Sequence, residues 1–187
     1  MAAGVWYNAA NIKVGQAVMS VQPYLVATPP VMPVDANPVF DAHLAPWVTS
    51  GATEDGFRFT MGKTTQEHTI EEQSTPAIVA ITARTARIQC TLSEDTLEAM
   101  ALAWGTGTIT AVAAKKTMVL DENIQVVAAL LEMANKQGKA RRIMIPQMVA
   151  SGDVETAFRR AAAKRTYPLN LVAICAPSAI QIVDMIT

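Results

Sequence analysis

An excess of charge of either sign is missing from this chain, and aromatic rings are scarce. Fifteen basic residues stand against sixteen acidic ones, for a net charge of −1 and a sequence pI near 6.1. A dedicated nucleic-acid binder needs a basic excess to displace counterions from phosphate, so the composition argues against that class. Phe, Trp and Tyr make up 5% of the residues, too few for a base-stacking platform. Histidine occurs at His43 and His68, with no second His or Cys at metal-ligand spacing, and both are read as solvated or hydrogen-bonding side chains. Cys90 and Cys175 lie in apolar, strand-like runs and are read as buried reduced thiols. The opening MAAGVWYNAANIKVG lacks a basic region followed by an apolar one, so no signal peptide is expected. The longest uncharged run, Val14 to Val34, holds Pro23, Pro29, Pro30 and Pro33 and cannot make a smooth spanning helix. The expectation is a soluble protein made and kept in a cytoplasm.

Catalytic spacings are missing as well. There is no nucleophile elbow, and Ser151-Gly152-Asp153 has no histidine at a helpful place. Gly105-Thr106-Gly107 lacks the rest of any phosphate-binding loop. Glu67, Glu71 and Glu72 have no apolar pocket residues around them to raise a pKa and read as a polar strand face. Lys136, Lys139, Arg141 and Arg142 flank a turn and read as a solvated hairpin tip. No enzyme, cofactor or metal site is expected.

What is present is apolar material for one core: 51% of the residues are hydrophobic, and the length suits a single domain spanning 1–187. The stretch from Ala52 to Gly105 organises it. A Glu54-Asp55-Gly56 turn leads into a short strand, Phe57 to Met61, and then into a polar arm from Gly62 to Pro76. In the arm only Ile70 is a large apolar residue, yet Thr is abundant and favours strands. Such a segment is either a solvated hairpin or a surface that another chain covers. Thr85 to Leu92 alternates strictly, with Ala86, Ile88, Cys90 and Leu92 on one face. A helix is expected over about 93–104, with Ser93 as N-cap, Glu94 and Asp95 favoured by the dipole, and Gly105 as the stop. Its apolar stripe would be Leu97, Met100, Ala101 and Trp104.

Val14 to Val21 reads as a first strand, and the proline-punctuated stretch of about 23–46 as a long loop. Ala111 to Leu120 is weakly patterned around Lys115-Lys116. Ile124 to Val149 reads as a hairpin turning at Asn135–Gly138, with Pro146 near an edge or bulge. Val154 to Arg165 contains good helix formers. Tyr167–Ile174 and Ile180–Ile186 read as strands, the latter with Asp184 breaking its apolar run. The sum is mainly β: a sandwich or barrel with one flanking helix and long loops.

In order, these motifs resemble the major tail tube proteins of long, non-contractile-tailed bacteriophages. The resemblance rests on Thr53–Gly56, the Thr/Gln/Glu-rich arm, the alternating strand and helix from Arg84 to Gly105, Arg142–Pro146 before Gly152-Asp153, and Tyr167–Leu169. It implies a structural virion protein of the tail-tube β-sandwich type, closing into sixfold rings that stack into a hollow tube for DNA delivery. The implied partners are further copies of itself, tape-measure, tail terminator and tail-tip proteins, with double-stranded DNA passing non-specifically and no membrane insertion. The implied location is the virion tail, reached from the host cytoplasm. The family's inter-ring loop would fall on the arm, at Lys63, Thr64, Thr65, Gln66, Glu67, His68, Ile70, Glu71 and Glu72. In the family a strand would occupy Val154–Arg165, where the residues themselves favour helix. A single-ring terminator, head–tail connector or distal tail ring is the alternative within virion structure. A small ligand-binding or enzymatic β-barrel is the alternative outside it.

Overall fold

The computed structural model describes residues 17–33, 47–68, 78–134, 140–155 and 165–185. The first strand, β1 (Ala17–Pro23), is followed by irregular chain and the short β2 (Val48–Thr49). Then come β3 (Arg58–His68), β4 (Ile78–Leu92) and the helix α1 (Leu97–Trp104). A small hairpin, β5 (Thr108–Val112) and β6 (Lys115–Val119), precedes β7 (Val127–Ala134), β8 (Ala140–Ala150), β9 (Tyr167–Ala173) and β10 (Gln181–Met185). Eight strands form one antiparallel sheet, seven of them in the order β2-β1-β7-β8-β9-β4-β3 and the eighth, β10, paired to β8 off this path.

β8 divides that sheet. Its first half pairs β10, Ala140–Met144 against Met185–Gln181, and its last residues pair β9, with Met148 opposite Ala173. Between them the register against β7 slips: Ala129 faces Ile145 and Val127 faces Met148. Pro146 falls within this bulge, where its missing N–H costs no ladder bond. Two limbs, β2-β1-β7-β8-β10 and β8-β9-β4-β3, thus leave one strand.

One face of both limbs lines a single core. Met19, Leu131, Ile143 and Ile145 supply it from the first limb, and Ile88, Leu92, Leu169 and Leu171 from the second. Met19 of β1 and Ile88 of β4, neither with any exposed surface, belong to this one core.

The alternation over Thr85–Leu92 is as the sequence indicates: Ala86, Ile88 and Leu92 are buried, Cys90 half-buried, and Thr85, Arg87 and Gln89 exposed. The helix differs from expectation in two ways. Its N-cap is Thr96, whose hydroxyl accepts from the Ala99 amide at 3.1 Å, because Ser93 is held elsewhere. Both the amide and the hydroxyl of Ser93 donate to the Ala52 carbonyl, and Glu94 accepts from the Ala52 amide at 2.8 Å. The face turned to the core is Ala99, Leu102 and Ala103. Of the expected stripe Ala101 is buried, while Leu97, Met100 and Trp104 are half-buried, Met100 and Trp104 packing against the edge of the same core. Two of the three core-facing positions are alanines, which let the helix approach the sheet closely. The stop is as expected: Gly105 is left-handed at φ +67, and its amide donates to the Ala101 carbonyl at 2.9 Å. A Cβ there would lie 2.7 Å from the Cβ of Ala150.

Candidate assembly surfaces

The expected arm is the far end of one long hairpin. β3 runs unbroken from Arg58 through Gly62 to His68, and β4 begins at Ile78, well before the alternating stretch. The two strands pair in register from Arg58↔Gln89 to His68↔Ile78, with one extra residue on β4 where Thr64↔Ala83 gives way to Thr65↔Ile81. β9 accompanies β4 only from Leu92 to Arg87. Beyond Ala86 the hairpin continues as a two-stranded ribbon. Among the described residues no strand pairs with the outer edge of β3, so its alternate N–H and C=O groups point outward.

The ribbon has two unlike faces. Phe59, Met61, Lys63 and Thr65 share the core-side face, opposite Ile88, Ala86, Arg84 and Ile81. The bulge keeps Ile81 on that face, so apolar residues persist where the core has ended, and Met61 and Ile81 are each 48% exposed. Arg58, Thr60 and Gly62 lie on the other face with Gln89, Arg87 and Thr85. Lys63, Thr64, Thr65 and Gln66 are all exposed. Glu67 and His68 take register positions opposite Val79 and Ile78, while Ile70, Glu71 and Glu72 lie outside the described residues.

The β3–β4 hairpin also carries four cations, of which the sequence singled out Lys63 alone as a contact residue. Arg58, Lys63, Arg84 and Arg87 are all exposed on it, and among the described residues none has a carboxylate partner. The pattern was in the sequence, but only the register shows that they share one hairpin.

The opposite limb is covered. On the outer face of β7 and β8, Ala128, Leu130 and Met144 form a second buried cluster with Met32 and Trp47, which belong to the chain flanking β1 and β2. Arg142 lies on this face and is 1% exposed, so it is not the solvated hairpin-tip residue expected. Its strand position faces Glu132, and its Nε donates to the Glu132 carboxylate at 2.6 Å. Its Nη1 also donates to the Pro33 carbonyl at 2.9 Å, tying the covering segment to the sheet. Neighbouring Arg141 points the other way, donating to Asp184 of β10 at 2.6 and 2.8 Å. The Asp184 carboxylate raises the Arg141 pKa, chiefly through this hydrogen bond. Lys136 and Lys139 lie outside the described residues, as do His43 and most of 154–165.

A third contact fixes the helix to β9. The Tyr167 hydroxyl donates to Asp95 at 2.6 Å, and Arg165 donates to the other Asp95 oxygen at 2.9 Å. Burial, helped by the hydrogen bond and the charge of Asp95, pushes the Tyr167 phenol up to about 12. Asp95 is therefore not a dipole-favoured residue inside the helix but a staple ahead of it.

A cleft of about 540 Å³ lies between the Asp55-Gly56 and Gly152-Asp153 turns, with Cys90 and Asn170 in its wall. Burial pushes the Cys90 thiol up to about 12, so no thiolate nucleophile forms there near neutral pH. Among the described residues no group of three or more His, Cys, Asp and Glu is placed to hold a metal, and no helix is long and apolar enough to cross a membrane.

No protein-family model matches this chain, and no curated protein matches it significantly.

Proposed function

We propose that this chain is a structural subunit that assembles with copies of itself into stacked rings, as a tail tube protein of the long, non-contractile bacteriophage type. The observation that carries the proposal is the ribbon beyond Ala86. It has an unpaired edge, half-exposed Met61 and Ile81, and no partner strand among the described residues. A two-stranded ribbon of this kind is marginal in water on its own, and docking on a neighbour would cover its apolar side. The mainly β architecture, with one α-helix among the described residues, fits the resemblance in motif order, and the balanced charge suits a conduit that must not hold DNA tightly. Sixfold closure, the virion-tail location, the tape-measure, terminator and tip partners, and the passage of DNA come with that proposal.

Negative-stain electron microscopy of the concentrated protein tests it. Long hollow tubes of stacked rings are expected. Isolated rings would point to a terminator or connector, and a ligand-dependent monomer with no assembly at any concentration would overturn the proposal. A trimmed chain, with Gly62 and Thr85 joined by Asn-Gly in place of 63–84, should fold and fail to stack. Gly62 and Thr85 already face each other in register, so a two-residue turn closes the shortened hairpin.

A further inference from the structure

We propose that the core-side face of the ribbon, at Met61, Lys63, Ile81 and Arg84, receives the segment Thr69–Glu72 of a second copy of this chain. The proposal rests on the self-assembly argued above and names the chemistry of one contact in it.

Lys63 and Arg84 are directly opposed across β3 and β4. Side chains at such positions stand about 4.5–5.5 Å apart at Cβ, and like charges there destabilise the pair. Both are exposed, and among the described residues neither has a carboxylate partner. Among the described residues nothing offsets this repulsion, and an anion seated across the two strands would remove it. Met61 and Ile81 flank the pair on the same face, each 48% exposed. The surface is thus half apolar and half cationic, and a suitable occupant carries an apolar side chain beside carboxylates.

The chain contains such a segment. From Thr64 to Ala83 there is no Lys or Arg, and the glutamates are Glu67, Glu71 and Glu72. Ile70, the one large apolar residue between Gly62 and Pro76, immediately precedes Glu71 and Glu72. Ile70 matches Met61 and Ile81; Glu71 and Glu72 match Lys63 and Arg84. Each copy carries both halves on different patches, which defines a heterologous contact, the type that propagates from copy to copy. The net charge of −1 and the apolar half of the strip favour a protein segment over a nucleic-acid backbone.

The test uses two charge-reversed full-length chains, K63E/R84E and E71K/E72K, compared with wild type by sedimentation velocity and electron microscopy at low salt. Circular dichroism checks folding, and K63Q/R84Q serves if the glutamate pair fails to fold. Each variant alone should raise the assembly threshold roughly tenfold or more, because like charges then meet across the contact. An equimolar mixture should return to within about twofold of wild type, and the difference should shrink as salt screens it. Rescue by mixing into particles that are not stacked rings would uphold this contact and overturn the tube proposal. Stacked rings of wild type with thresholds unchanged by charge reversal would do the opposite. Failure of the mixture to rescue overturns the contact in trans. So does wild-type binding of a short DNA duplex that K63E/R84E loses, which would assign the cations to phosphate.

Discussion

Two hairpins of this protein carry charged residues directly opposed across their strands, and they are opposites. In β7–β8, Glu132 faces Arg142 at 2.6 Å, both nearly fully buried, beneath a layer holding Met32, Pro33 and Trp47. In β3–β4, Lys63 faces Arg84, both exposed, beyond the end of the core. The first hairpin satisfies its own charges and its own apolar faces. Among the described residues the second leaves a like-charged pair, an edge with no partner strand and two half-exposed apolar side chains. The difference teaches where to look for a contact: the β7–β8 limb is covered by its own chain, whereas no described residue covers the distal ribbon in the same way.

Breaking the covered side should cost most. Arg142→Ala leaves the Glu132 carboxylate buried without its cation and frees the Pro33 carbonyl; a loss of about 3–5 kcal/mol in urea unfolding is expected. Replacing both partners with Met and Leu should be much milder, since no orphan charge remains. If Arg142→Ala were neutral, the covering layer would not be holding the pair out of water.

Next in size are the helix substitutions, which sharpen which face the core uses. Leu102→Ala should cost about 2–4 kcal/mol. Trp104→Ala, half-buried at the edge of the same core, should cost less, about 1–2 kcal/mol, and the reverse order would restore the stripe expected from spacing. The Tyr167 staple predicts a pH dependence. The folded-state phenol stays protonated to about 12, above its ordinary value of 10, so the native state holds the proton between those limits. Its contribution is complete below pH 10 and is lost as pH rises toward 12; Tyr167→Phe should flatten that part of the stability–pH profile.

The smallest effect has the opposite sign. Arg84→Thr on the ribbon should stabilise the lone subunit by about 0.2–1 kcal/mol, by removing the like-charge neighbour of Lys63 while keeping a strand-favouring residue. A clear destabilisation would mean that the two cations are not in conflict.

Much of the first hairpin and little of the second was legible in sequence. Val127–Ala150 could be read as paired strands because a turn interrupts it, and Pro146 marked the bulge. Strict alternation over Thr85–Leu92 gave the buried face of β4. The extra residue between Ile81 and Ala83 breaks that alternation, so the earlier half of β4 was invisible and the arm could be read either as a solvated hairpin or as a surface for another chain. The β5–β6 hairpin escaped for a different reason. Its turn is Ala113-Ala114, with Ala113 at φ +53, and carries no Gly, Asn or Asp to announce it. The burial of Arg142 depends on a covering segment distant in sequence, and its charge alone pointed to solvent. Ser93 lost the N-cap position to Thr96 through a tertiary bond to Ala52 that local propensity does not contain.

Hydrogen–deuterium exchange on the free and the assembled protein tests the contrast between the two hairpins most directly. The account predicts slow exchange in β7 and β8 in both states, with Lys63–His68 of β3 exchanging fast in the free subunit and becoming protected on assembly. Equal protection of Lys63–His68 in both states would contradict it.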